Sequence, residues 1–255
     1  MNQLNVNLPE LPYAVSEAMN RLRINIKFCG KNTRKILLTS CQPNEGKSTI
    51  SAYLWKMLAE AGFPTVLVDV DLRKSVLKTR FQMDYDDDTT MGLNHYLSGM
   101  AEYEDVVYST NIPNGYMVPC TQLLENPSAL LEDVRFKELL NTLSENYRFV
   151  IIDSPPLGSV ADGALIASLC DGAVLVVRAG TTPRTLIKQS LYEIQQSGCR
   201  LLGTVLNRAD VKGRAYGKYG YGKYGYGYGY GYGYEPKDKK NSSDSAATDK
   251  NSTGK

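Results

Sequence analysis

The sequence predicts an α/β protein with a doubly wound, mainly parallel sheet and a disordered Tyr/Gly-rich C-terminal tail. Three observations carry this. Short, continuously apolar runs recur at residues 35–40, 65–69, 149–153, 172–177 and 201–207. Runs of that length without polar alternation suit parallel strands covered on both faces. Helical stretches separate them, and alternating strand and helix marks the doubly wound class. Between the first of these strands and its helix stands Ser40-Cys41-Gln42-Pro43-Asn44-Glu45-Gly46-Lys47-Ser48, a turn suited to phosphate.

The elements follow in order. Residues 13–29 read as a helix, with Leu22, Ile26 and Cys29 on one face at helical spacing. The strand at 35–40 leads through the phosphate turn into a helix that runs to about residue 61, where Gly62 stops it. Residues 84–90 form a polar acidic loop, and 115–119 a short strand. Asn126-Pro127-Ser128 opens another helix, with Ser128 as its cap. The chain thus divides into an N-terminal extension (1–12), a phosphate-loop domain (13–210), a tyrosine cluster (211–234) and a polar tail (235–255). The last two have too few aliphatic residues to build a core.

The totals exclude several classes. A net charge of +2 over 255 residues gives no argument for a nucleic-acid partner. Residues 1–12 have neither a basic nor an apolar stretch, so no signal peptide is expected. No apolar run reaches the roughly 18 residues that span a bilayer. The five cysteines, Cys29, Cys41, Cys120, Cys170 and Cys199, are scattered and odd in number. That argues against a disulfide framework or a zinc site and fits reduced thiols in a cytosol.

A P-loop curls backbone N–H groups around phosphate oxygens at a helix N-terminus. Lys47 would reach the β/γ-phosphates, Ser48 would place its hydroxyl on magnesium, and Gly46 would admit close backbone approach. Asn44, Glu45 and Thr49 complete the candidate nucleotide contacts. The first glycine of the strict pattern is replaced by Cys41. Asn44 stands where a second glycine would be comfortable, and asparagine tolerates the left-handed conformation that such a turn needs. Asp69 and Asp71 follow one apolar strand and Asp153 another. In a doubly wound sheet the C-terminal strand ends face the ligand crevice, so three carboxylates near a triphosphate point to magnesium.

Together these residues define a P-loop NTPase-like fold, and their companions narrow it further. The chain resembles the bacterial tyrosine kinases that regulate capsular and exopolysaccharide synthesis, in the form whose membrane adaptor is a separate protein. The likeness rests on residues 40–49, on the second Walker-type motif from Val66 to Lys74, and on Gly92-Leu93-Asn94-His95-Tyr96-Leu97-Ser98-Gly99. It rests also on Asn126-Pro127-Ser128-Ala129-Leu130-Leu131, on Ile152-Asp153-Ser154-Pro155-Pro156, and on the C-terminal tyrosines.

The resemblance implies an ATP- and Mg2+-dependent protein-tyrosine kinase that phosphorylates its own tail. Lys47, Asp69, Asp71 and Asp153 would be catalytic. Ser48, Asp71 and Asp153 would organise the metal, and Asp69 would be the candidate base nearest the incoming hydroxyl. Asn207 would lie where relatives contact adenine. Nine of the 18 tyrosines, Tyr216, Tyr219, Tyr221, Tyr224, Tyr226, Tyr228, Tyr230, Tyr232 and Tyr234, would be the phosphate acceptors. Implied partners are the cytoplasmic end of a membrane polysaccharide co-polymerase adaptor, further copies of the chain, and a phosphotyrosine phosphatase. The implied place is the cytoplasm, at the inner face of the membrane. In the helical Glu-x-x-Arg-x-x-Arg pattern used by relatives for ring assembly, this chain has Glu17, Asn20 and Arg23, so the middle arginine is missing.

The rival reading is a partition- or septum-positioning-type ATPase. Those proteins place a second lysine five residues before the P-loop lysine, where this chain has Gln42. A third reading, an ATP-sensing scaffold with an adhesive tail, leaves Lys47 and the three aspartates without a task. The chain has no H-R-D, D-F-G or V-A-I-K element of the eukaryotic kinases. Four bland readings accompany these: His95 and Trp55 as structural residues, Cys41 as a small residue that fits the turn, and Asp162 as either a site residue or a helix cap.

Overall fold

The structure is a computed structural model that describes residues 3–86, 89–158 and 162–209. The chain divides into two units, residues 1–210 and 211–255. The tyrosine cluster, the polar tail, part of the acidic loop (Asp87, Asp88) and Ala161 lie outside the described residues.

In chain order the elements are β1 (Gln3–Leu4), α1 (Tyr13–Lys27), β2 (Lys35–Ser40), α2 (Lys47–Glu60), β3 (Thr65–Asp69) and α3 (Leu77–Arg80). Next come α4 (Leu93–Leu97), α5 (Tyr103–Val106), β4 (Tyr108–Thr110), β5 (Gly115–Val118), α6 (Ser128–Glu132) and α7 (Val134–Asn146). The chain continues through β6 (Phe149–Asp153), α8 (Asp162–Ser168), β7 (Gly172–Arg178), α9 (Arg184–Gln196) and β8 (Leu201–Asn207). One sheet runs in the order β1-β4-β5-β3-β6-β2-β7-β8. All neighbours are parallel except the β4–β5 pair.

The strands are buried on both faces, as their apolar runs require. Leu37, Val66, Val68, Val150 and Ile152 enter one core. Ile36, Leu38, Leu67 and Ile151 enter the other. Trp55 fills the second core, fully buried, and its Nε1–H donates to the Thr65 carbonyl at 3.0 Å. Gly62 ends α2 in the left-handed region at φ 86°.

Some elements differ from expectation. β1 and β4 carry too few residues for a sequence pattern; β4 forms because the β5 edge offers pairing, and β1 then pairs with β4. Leu4, Val6 and Leu8 are buried as a result. α6 has Pro127 at its cap position with no side-chain cap bond. The Ser128 hydroxyl instead donates to Asp162 Oδ1 at 2.6 Å, since a bond to a buried carboxylate is charge-assisted. α7 is capped separately by Asp133, which accepts from Arg135 N–H at 2.9 Å. His95 is structural: its Nδ1 accepts the Gly92 N–H at 3.1 Å at the start of α4.

Candidate active site

Strand order builds the site. β6 lies between β3 and β2, with Asp69 in register with Asp153, and Asp153 in register with Leu38. The two strand-end aspartates therefore stand side by side, next to the strand that feeds the phosphate loop. Parallel register brings them to one edge at one height, as the crevice rule demands.

The loop turns through two left-handed residues, Asn44 at φ 65° and Gly46 at φ 98°. Asparagine at the first of them bears out its expected tolerance. Glu45 turns inward. Its Oε2 accepts the Cys41 and Gln42 N–H groups at 2.8 and 3.0 Å, and its Oε1 accepts the Thr182 hydroxyl. Asn207 Nδ2 donates to the Glu45 carbonyl at 2.8 Å. The loop is thus pinned from behind by β8 and by the segment after β7. Cys41 is buried in it, and burial pushes its thiol above the usual value, which suits a packing role.

Lys47 opens α2 and turns onto the carboxylates, 3.0 Å from Asp71 Oδ2 and 3.5 Å from Asp153 Oδ2. Burial pulls the ammonium down, but Asp153 and Asp71 outweigh it and leave its pKa above the ordinary lysine value. The Ser51 hydroxyl, one turn on, donates to Asp153 Oδ1 at 2.9 Å. Burial raises the Asp153 carboxyl, although Lys47, Ser48 and Ser51 pull it back. Asp69 is 1% exposed. Burial, with the Asp153 charge beside it, lifts its pKa to about 8. The Ser75 hydroxyl donates to Asp69 Oδ2, and Asp69 Oδ1 is buried with no hydrogen-bond partner among the described residues.

A cleft of about 160 Å³ opens over this cluster, lined by Asn44, Gly46, Lys47, Ser48 and Asp71, by Arg73, Lys74 and Arg80, and by Pro155 and Pro156. Asp69, Asp153, Glu45, Thr49 and Asn207 do not line it. Thr49 accepts a bond from Arg80 Nη1 at 2.7 Å. Arg73 is held away from the loop by Asp162 at 2.8 Å, the Glu125 carbonyl at 2.7 Å and Ser128 at 3.2 Å. Asp162 is therefore an anchor for the second aspartate loop.

The sequence reading missed Thr182, Ser75 and Ser51. Only Ser51 carried a signal, since it lies four residues after Lys47 on one helix face. The other two are recognisable only from what they touch.

A model of the AAA-domain family matches residues 33–195. The tyrosine-protein kinase CpsD of Streptococcus agalactiae is 41% identical over 208 residues, 81% of this chain and 90% of its own. The chain belongs to the bacterial tyrosine kinases. Among solved structures of this family, the VpsO kinase domain superposes with a TM-score of 0.71 at 29% identity, covering 77% of this chain and 95% of that one. The chimerical protein CapA2B2 gives 0.72 at 33% identity, covering 80% and 92%. The septum site-determining protein MinD of Pyrococcus horikoshii, complexed with Mg-ADP, shares the fold at 0.57 and 26% identity, covering 68% and 69%. The kinase family thus fits better than the septum-type ATPases, and the P-loop NTPase fold common to both implies nucleotide binding.

Proposed function

We propose that this chain is an ATP- and magnesium-dependent protein-tyrosine kinase that phosphorylates its own C-terminal cluster and regulates capsular or exopolysaccharide synthesis. The observation that carries the reading is the convergence of Lys47, Asp71 and Asp153 under a cleft floored by the phosphate loop. Kinase relatives that match most of their own length support it.

The residues fit a magnesium ion. Ser48 and Asp71 line the cleft, and Asp69 Oδ1 is an unsatisfied buried acceptor. Among the described residues no group of three or more His, Cys, Asp or Glu side chains could hold an ion by itself. Magnesium does not require one, since one or two carboxylates with substrate phosphates suffice. Ser48, Asp71 and Asp153 would hold it, directly or through water, and it would neutralise charge on the phosphates.

Phosphoryl transfer needs positioning and charge neutralisation more than covalent help. Lys47 would exchange its carboxylate partners for the β/γ-phosphates, and the backbone of residues 44–49 would cradle them. Asn207, joined to the loop backbone, would border the adenine. The tyrosine hydroxyl, with a pKa near 10, keeps its proton until late, and the ionised form of Asp69, whose share grows as pH rises toward 8, would then accept it at Oδ1. Because Asp69 is 1% exposed, that role needs the cleft floor to open toward it. Ser75 fixes the other carboxylate oxygen and so aims Oδ1.

The acceptors would be Tyr216, Tyr219, Tyr221, Tyr224, Tyr226, Tyr228, Tyr230, Tyr232 and Tyr234. Glycine stands beside each of them in the sequence, and a Gly-rich chain of 20 residues in general spans roughly 25 Å root-mean-square. No helix among the described residues is long and apolar enough to cross a membrane. Recruitment to the inner membrane face would come from the cytoplasmic end of a co-polymerase adaptor, and a phosphotyrosine phosphatase would reverse the modification. Assembly of several copies would use α1, where Arg23 donates twice to Asn20 Oδ1, at 3.1 and 2.7 Å.

The test is incubation of the purified chain with ATP, Mg2+ and an adaptor's cytoplasmic segment, followed by mass-spectrometric mapping of phosphotyrosine. Phosphate on residues 216–234 that disappears in Lys47→Ala is the expected result. ATP hydrolysis without phosphotyrosine would instead place the chain with the septum-type ATPases.

A further inference from the structure

The lining of the cleft carries two cations that the chemistry above does not use. Lys74 leaves the same turn as Asp71. Its N–H donates to the Asp71 carbonyl at 3.1 Å and lies 3.2 Å from Asp71 Oδ1. Arg80, at the end of α3, is steered toward the loop helix by the neutral Thr49 hydroxyl. Both line the cleft and both are exposed. Among the described residues neither is in an ion pair, whereas their neighbour Arg73 is paired with Asp162. Among the described residues the cleft rim therefore presents two positive charges without an ion-pair partner, Arg80 held by Thr49 and Lys74 on the turn of Asp71.

That charge mismatches the unmodified acceptor. Residues 211–234 contain Lys212, Arg214, Lys218 and Lys223 and no acidic residue, so a cationic segment must enter a cationic cleft. One phosphorylation reverses the local balance, because each phosphotyrosine adds about −1.5 to −2 charges and three strong acceptor oxygens. Along most of the cluster the tyrosines alternate with glycine. In an extended chain, residues two apart lie about 7 Å from each other on the same side. A phosphotyrosine on the rim would thus present the next tyrosine to the transfer site.

We propose that Lys74 and Arg80 form a phosphotyrosine subsite, which captures a tyrosine already modified and directs transfer to the one two residues away. Phosphorylation then spreads from a slow first event along neighbouring tyrosines. This rests on the kinase reading above. In each round the bond between the γ-phosphorus and the β–γ bridging oxygen breaks and a bond to the phenolic oxygen forms. ADP leaves, and the phenolic proton passes to Asp69 and on to water. The captured phosphate is not itself consumed.

The experiment uses the full chain with its nine cluster tyrosines changed to Phe, plus ATP, Mg2+ and the adaptor segment. Synthetic peptides of residues 214–234 carry Tyr226 as the sole acceptor and Phe at the other tyrosines. One series has phosphotyrosine at position 228, another at 234, and a third has none. The expected result is a kcat/KM about tenfold higher with phosphate at 228 than without, and little gain from 234. In Lys74→Gln/Arg80→Gln the ratio falls to about one. Should that variant fold poorly, salt supplies a second measurement: the preference of the parent chain shrinks from 50 to 500 mM NaCl as the pairing is screened. Equal rates for all three peptides overturn the subsite and leave the kinase standing. A preference that survives in the double variant overturns its assignment to these residues. A double variant whose defect is a raised KM for ATP with every peptide moves the rim to the nucleotide. No phosphorylation of any peptide, with ATP still hydrolysed, overturns the kinase reading as well.

Discussion

The Lys47 ammonium stands 3.0 Å from Asp71 Oδ2, with Asp153 Oδ2 at 3.5 Å on its other side. One buried cation thus serves two carboxylates that meet only through the fold. Removing one partner of a buried pair costs roughly 3–5 kcal/mol, mostly as uncompensated charge. Lys47→Ala is therefore expected to lose phosphorylation and also stability at pH 8. Urea unfolding at pH 8 and pH 5 checks this. The deficit should shrink at pH 5, where a proton can stand in for the ammonium.

Asp69 gives stability a pH slope of definite sign. Burial lifts its carboxyl from the ordinary aspartate value of 3.8 to about 8 in the fold. Between those values the folded state holds the extra proton, so raising pH through this window lowers stability. A single group contributes up to about 1.4 kcal/mol per pH unit. Asp69→Asn, which keeps the shape without the charge, should flatten the decline between pH 5 and pH 8 in thermal unfolding. An unchanged slope would assign it to Asp153, whose carboxyl is also raised.

Glu45 should matter for the loop and not for the chemistry. Its carboxylate satisfies two backbone N–H groups and one hydroxyl. A buried donor left without its acceptor costs about 1–3 kcal/mol. Glu45→Ala should raise the ATP KM by about tenfold or more, with a smaller change in kcat, since ground-state and transition-state phosphate use the same loop. Thr182→Val, which removes only the outer hydroxyl, should show a weaker shift of the same kind. Steady-state kinetics with ATP varied separates the two parameters.

Gly46 and Gly62 make a controlled pair. Both have positive φ, 98° and 86°, so an added methyl group meets left-handed strain of about 1–2 kcal/mol at either. Beyond that strain, a Cβ at Gly62 meets nothing within 4 Å, while one at Gly46 would lie 2.1 Å from Asn207 Nδ2. Gly62→Ala should lower the melting temperature by a few degrees and keep nucleotide binding. Gly46→Ala should abolish binding as well, measured by calorimetric titration with ATP and Mg2+.

Much of the fold was legible because its signals are local. Residues 35–40, 65–69 and 149–153 read as buried strands from their composition, and the turn at 41–46 announced itself through Gly46, Lys47 and Ser48 with Asn44 where a left-handed residue was needed. β1 and β4 were not legible, since two or three residues that pair only because an edge is available carry no pattern of their own. Ser128 was misread as a cap because its serine suits a cap equally well, and only the nearness of Asp162 shows which acceptor it takes.

The sequence by itself determined the chemistry of the parts: a lysine and a hydroxyl at a helix start, carboxylates at strand ends, and a run of tyrosines at the C-terminus. Each is written within about ten residues, the range over which strand period and turn preference act. Tertiary structure alone decided how the parts combine. The order β3-β6-β2 sets Asp69 beside Asp153, and Glu45 finds Thr182 from 137 residues away. Among the described residues Arg73 is paired with Asp162, while Lys74 and Arg80 are in no ion pair. Burial and charge proximity depend on which distant segments pack together, and that is why the raised carboxyl of Asp69 and the bare cations of the rim belong to the fold.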